Sequence, residues 1–202
     1  MKTASILIAG PVAALAASIP RASQAVPSGP FALGAWQTGQ NSGTCFHGTP
    51  VHASGLKFFI NKPTSTYCPD GVSGLNCSDF SGTGTTFVMG EGSTSLSLDT
   101  TVPGGQQVYI GPDGSLSYTQ AHSAAIPAGS TTTGFSRDQG AASDAPVYLS
   151  SANSTWFLCP VSEGTPTERA YQVIAASEQP EGCIATKLRT YAPEPGQVWQ
   201  YA

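Results

Sequence analysis

The sequence predicts an all-β chain: a single-domain antiparallel β-sandwich or β-barrel stapled by two disulfides. Three observations predict it. Short apolar runs of strand length recur at intervals of roughly ten residues, separated by clusters of Gly, Pro and Ser, which is the spacing of strands and turns. Nowhere do apolar residues recur at helical spacing through three turns. Five cysteines follow an N-terminus built for export, so the chain travels through a compartment that can join them.

The clearest element lies between positions 102 and 130, VPGGQQVYIGPDGSLSYTQAHSAAIPAGS. Two strand-like runs, 106–110 and 115–119, flank Gly111-Pro112-Asp113-Gly114. Pro112 presets φ for its turn position, Asp113 suits the next, and Gly114 is expected at positive φ, where a Cβ costs about 1–2 kcal/mol. Leu116 and Tyr118 alternate with Ser115, Ser117 and Thr119, giving one apolar and one hydroxylated face. That hydroxylated face, with Tyr109 beside it, is the candidate binding surface. It offers many weak hydrogen-bond partners suited to glycans.

Composition bounds the function. The 202 residues fit one domain with processing segments. Charge is sparse at 10%, and 23 Gly with 16 Pro make the chain turn-rich, but 40% hydrophobic residues in short blocks argue for a packed domain over disorder. A net charge of −4 without a basic run argues against nucleic acid. Lys2, an apolar stretch to Ala17 and small residues after it read as a signal peptide over 1–18, followed by a flexible leader over 19–30. The β domain is expected over 31–190 and a Pro-containing C-terminal tail over 191–202. No membrane anchor is expected, so the protein is read as exported.

Further strands are expected around 31–35, at 56–60 (LKFFI), over 85–89, at 96–98, and at 147–149, 156–159, 171–175 and 184–188. The stretch 131–145, TTTGFSRDQGAASDA, reads as a low-complexity loop. Leaving one cysteine out and pairing the other four allows about fifteen arrangements. Proximity favours Cys68 with Cys77 and Cys159 with Cys183, leaving Cys45 as a buried free thiol or an intermolecular cross-link. On the chain-entropy account the two loops contribute about 2.7 and 3.5 kcal/mol.

No catalytic constellation stands out. His122 and Ser123 are sequence neighbours, which on an extended chain point to opposite faces, and the imidazole is expected to satisfy backbone at the hairpin's exit. No GxSxG elbow occurs. His47 and His52 lack a third ligand at metal spacing, and the cysteines lack CxxC pairs. The carboxylates occupy turn contexts, with no pair marked out for glycoside hydrolysis. Asn153-Ser154-Thr155 is a glycosylation sequon on an expected loop, and Asn76-Cys77-Ser78 a weaker one. No catalytic residue, metal site or cofactor is assigned.

The segment at 102–130, the TYCPDG block around Cys68, the FLCP block around Cys159 and the run HASGLKFFINKPTSTYCP together resemble the PhiA-type cell wall proteins of filamentous fungi. The resemblance spans roughly 31–188; Cys45 and the segment 190–202 depart from it. It implies a small secreted wall protein linked to development of spore-bearing (conidium-forming) cells. Family members include IgE-binding allergens, and related secreted proteins elicit plant defence. It implies no enzymatic activity. The expectation is therefore a secreted, non-enzymatic protein of the fungal wall that partners wall polysaccharide, glucan or chitin. The alternative is an effector or elicitor meeting a host surface component, and a more distant one is a carbohydrate-active enzyme.

Overall fold

The computed structural model describes residues 26, 28–37, 46–140, 142 and 145–202. The expected signal peptide, most of the leader and Cys45 lie outside the described residues. The described chain is all-β and antiparallel, its one helical turn being a 3₁₀ turn at Cys77–Asp79. The strands are β1 (Ala32–Trp36), β2 (Thr49–Pro50), β3 (His52–Ser54), β4 (Lys57–Ile60), β5 (Thr66–Tyr67), β6 (Phe87–Val88), β7 (Leu96–Leu98) and β8 (Gln106–Ile110). Then come β9 (Leu116–Tyr118), β10 (Phe135–Gln139), β11 (Val147–Ser151), β12 (Thr155–Pro160), β13 (Tyr171–Ala176), β14 (Ile184–Tyr191) and β15 (Gln200–Tyr201).

Neighbours run β6-β7-β8-β9-β4-β13-β12-β14, and β1 pairs with β14. Phe31, just ahead of β1, exchanges both backbone hydrogen bonds with Phe87 of β6, at 2.9 and 2.8 Å. The hydrogen-bonded circuit therefore closes on itself, which makes this the barrel alternative of the two. The long strand β14 joins two groups of strands. Its first residues pair with β12, its later ones with β1, and Leu188 and Arg189 also pair with β11. The hairpin β10–β11 leaves the ring there.

Inside the ring, alternation delivers Leu33, Ala35, Phe58, Ile60, Leu96, Val108, Leu116, Leu158, Val173 and Leu188 to one core. Aromatic rings cross its middle: Phe31 against Phe87 at 5.9 Å, Phe58 against both Phe87 and Tyr118 at 5.2 Å, and Tyr118 against Tyr201 at 6.4 Å. Burial pushes the Tyr118 phenol up to about 12, and its hydroxyl donates to the Ala202 carbonyl at 3.1 Å.

The hairpin forms as read. Gly114 has φ +79°, its amide donates to the Gly111 carbonyl, and Asp113 accepts from the Ser115 amide. A turn this tight brings Gly114 against a neighbouring strand, where its carbonyl accepts from Ala175 N at 2.8 Å. The two disulfides are Cys68–Cys77 and Cys159–Cys183, as proximity favoured.

Two expectations are corrected. The stretch read as a loop over 131–145 contains β10, whose buried Phe135 anchors an otherwise polar strand against β11. The segment read as a tail is structured and docks on the barrel, closing part of its core. β14 runs to Tyr191, β15 pairs with β5, and Tyr201 is 1% exposed. Gln106, equally buried, clamps it. The Gln106 amide donates to the Tyr201 and Thr119 carbonyls at 3.0 Å each and accepts from Tyr201 N at 2.8 Å.

Two substitutions test this architecture. Gly114→Val would place a Cβ 2.6 Å from the Ala175 carbonyl oxygen at positive φ. It is expected to cost about 2–4 kcal/mol in urea unfolding. Gln106→Leu keeps the volume but strands three buried backbone groups, a loss on the order of 3 kcal/mol. Hydrogen exchange should show the Tyr201 amide exposed first; an unchanged amide would refute the clamp.

Candidate functional site

The surface expected to bind glycans is not a surface. Ser115, Ser117, Thr119 and Tyr109 are 2, 4, 4 and 9% exposed. In the sheet β9 pairs with β8 at one edge and β4 at the other, and Ser115 bridges to Ile174 of β13. The hydroxyls are used internally. Ser115 donates to Asp113, Ser115 and Ser117 share a hydrogen bond, and Thr119 accepts from Gln107 N. That bond from Ser115, helped by Lys57 at 3.5 Å, holds the Asp113 carboxyl below its ordinary range. Tyr109 and Thr119 do meet at the floor of an open groove of about 400 Å³, with Leu56, Gln120 and Pro127.

His122 is exposed at φ +59°, and Ser123 accepts from Ala125 N, so these neighbours do not form a couple. Asn153 is exposed in the turn between β11 and β12, where a glycan can leave the fold. Asn76 is exposed too, but its side chain caps the 3₁₀ turn and donates to Asp79. Among the described residues no group of three or more His, Cys, Asp or Glu is placed to hold a metal.

What the structure gathers lies on the opposite side of the barrel. On β1 the residues Leu33 and Ala35 turn inward, so Gly34 and Trp36 turn out, in register with Arg189 and Lys187 of β14. Tyr148 of β11 pairs with Arg189, and Tyr191 ends the row opposite Ala32. The Arg189 guanidinium lies 4.8 Å from the Trp36 ring and 5.0 Å from the Tyr191 ring. The Lys187 ammonium is 5.2 Å from Tyr148, and the His47 ring packs 4.6 Å from Trp36. Cations over aromatic faces fix these rings as a platform. The alternation Lys187-Leu188-Arg189-Thr190-Tyr191 was the signal in the sequence that could have found it.

A pocket of about 130 Å³ adjoins the platform, walled by Leu33, Gly34, Gly48, Pro50 and Val51 and edged by His52, Thr85, Tyr191 and Glu194. A Cβ on Gly34 would sit 2.7 Å from the Tyr191 ring, so glycine lets that ring lie against β1. A chain of hydroxyls runs behind the pocket. Ala53 N donates to Thr85 Oγ1 at 2.8 Å, the Thr85 and Thr64 hydroxyls are 3.2 Å apart, and Thr64 Oγ1 is 2.6 Å from His52 Nδ1. In the arrangement where Thr64 donates to Nδ1, Nε2 carries the imidazole proton. Burial lowers the His52 pKa from 6.5, an effect the Glu194 carboxylate opposes. The Tyr191 hydroxyl is enclosed without a hydrogen-bond partner among the described residues, an arrangement that costs roughly 1–3 kcal/mol.

Comparison with known proteins gives this geometry a context. The family model described as PhiA-like secreted protein matches residues 37–202. An uncharacterized secreted protein of Arthroderma benhamiae is 38% identical over 127 residues, which cover 62% of this chain. The matched part spans 59% of that relative's length. No solved structure matches.

The lowered His52 pKa has a consequence for stability. Below 6.5 the unfolded chain binds this proton more readily than the folded one, so stability falls as pH drops from 6.5 toward the lower folded value. Thermal midpoints between pH 7 and 5 should decline, and His52→Gln should flatten the decline. An unchanged slope in that variant would remove His52 as its source.

Proposed function

Since the chain belongs to the PhiA-like secreted protein family, and is thus a secreted fungal protein, we propose that it works at the fungal wall as a non-enzymatic polysaccharide-binding component. The observation that carries the proposal is the outward row of Trp36, Tyr148 and Tyr191, each ring in contact with Arg189 or Lys187. Sugar rings present C–H faces that pack on aromatic faces and hydroxyls that accept from guanidinium and ammonium groups. A row of weak contacts, each about 0.5–1.5 kcal/mol, suits reversible attachment to a long repeating chain.

Other features support occupancy over turnover. The hydroxyls of the hairpin are spent on internal bonds, and the ring of strands and two disulfides make a fixed scaffold. A glycan on Asn153 would leave from a turn. A role in spore-forming cells would be exercised from their wall. Recognition by a host as an elicitor would use the same outward face.

The test is sedimentation with insoluble glucan or chitin. The purified protein is expected to pellet reversibly while releasing no reducing sugar. Trp36→Ala should cut the bound fraction severalfold at unchanged unfolding midpoint, and Glu163→Gln in the exposed 161–168 loop should not change it. Release of sugar, or full binding by Trp36→Ala, would overturn the proposal.

A further inference from the structure

The platform ends at the His52 pocket, and the geometry points to a subsite there for the 2-acetamido group of an N-acetylglucosamine residue. The inference rests on the polysaccharide reading above and, within it, selects chitin-type chains over glucan.

Size comes first. About 130 Å³, with glycines at 34 and 48 in the wall, suits one small substituent while the chain that carries it lies across the rings outside. Polarity comes next. Ala32, Pro50 and Ala192 give the pocket an apolar side that suits a methyl group. With Nδ1 taken up by Thr64, Nε2 is the ring nitrogen left for a ligand, and the subsite uses it as a donor. The Tyr191 hydroxyl lies close to Gly48 (a Cβ there would be 3.8 Å from it) and has no partner among the described residues. These are two donors for a carbonyl oxygen. The Glu194 carboxylate, which edges the same pocket, accepts an amide N–H.

An acetamide carries all three complements in one plane: a methyl group, a carbonyl oxygen and an N–H. A glucan hydroxyl brings no methyl, so it would set a polar group against the apolar wall. A free amino sugar would pair with Glu194 but leave His52 and Tyr191 without an acceptor. The site thus discriminates by what each rival leaves unpaired.

The test titrates the disulfide-intact protein with chitotetraose, its de-N-acetylated counterpart and laminaritetraose, by calorimetry and by the His52 imidazole resonances. Chitotetraose is expected to bind at least about tenfold more tightly than either rival and to shift the His52 signals. Tyr191→Phe and Glu194→Gln should each weaken it about tenfold and leave laminaritetraose unchanged. Tyr191→Phe removes only an unsatisfied hydroxyl, so its unfolding midpoint should hold or rise while binding falls. An N-glycan with a chitobiose core serves as a separate arm. Binding to it also supports an acetamido site, and the ratio of the two affinities tells wall from glycoprotein as source. Equal affinity for chitotetraose and laminaritetraose, or chitotetraose affinity unmoved in both variants, would overturn the subsite and leave the polysaccharide reading standing. Binding to none of these sugars and no pelleting on glucan or chitin would remove both.

Discussion

One buried side-chain amide decides where the last part of this chain lies. Gln106 sits inside the barrel, where an unpaired amide is costly, and its three hydrogen bonds go to backbone groups of Thr119 and Tyr201. Once Tyr201 is held, its ring fills the core beside Tyr118, and its hydroxyl accepts from Thr86 N and donates to the Gly84 carbonyl. The segment that leads to it must then cross the barrel's flank. Gly82 and Gly196 meet so closely there that a Cβ on either would lie 2.9 Å from the other's backbone. That crossing places Glu194 beside His52. The pocket is thus a by-product of docking the chain's end.

The platform has a different origin. Strand β14 is long enough to serve two groups of strands, so its outward side is a straight row of alternate residues. Its inward residues, Thr186 and Leu188, are fixed by the core, and period-two geometry does the rest. Lys187, Arg189 and Tyr191 must then share a face with Trp36 and Tyr148. The chain has few charges, and two of its cations spend theirs on holding aromatic rings in place.

Which parts could be read from the sequence follows from range. The hairpin over β8 and β9 was legible because Pro112, Asp113 and Gly114 set its turn locally. The disulfides followed from short loops. Strand β10 was not legible: FSRDQ carries one apolar anchor, Phe135, and owes its extended form to its partner β11. The tail, with Pro193 and Pro195, looked unstructured because its partners Gln106 and β5 are far away in sequence. The hydroxylated face of β9 was the instructive error. Alternation tells that a strand has two faces but not what occupies the second, and here its hydroxyls turn back on Asp113, on each other and on Gln107 N. The pocket depended on the same long-range docking, so His52 and Glu194 could not be associated from spacing.

The docking of Ala202 also bears on how the protein is made. Its amide and carbonyl bond with Ser65 and Gly55, while Tyr201 bonds with Gln106. Groups near positions 55, 65 and 106 therefore wait for partners near position 202, and so many long-range pairings favour slow folding. The ring of strands closes through Phe31 and Phe87, and the bonds of Tyr201 and Ala202 lock its flank. Until those partners meet, the unpaired strands present bare edges to whatever surrounds them.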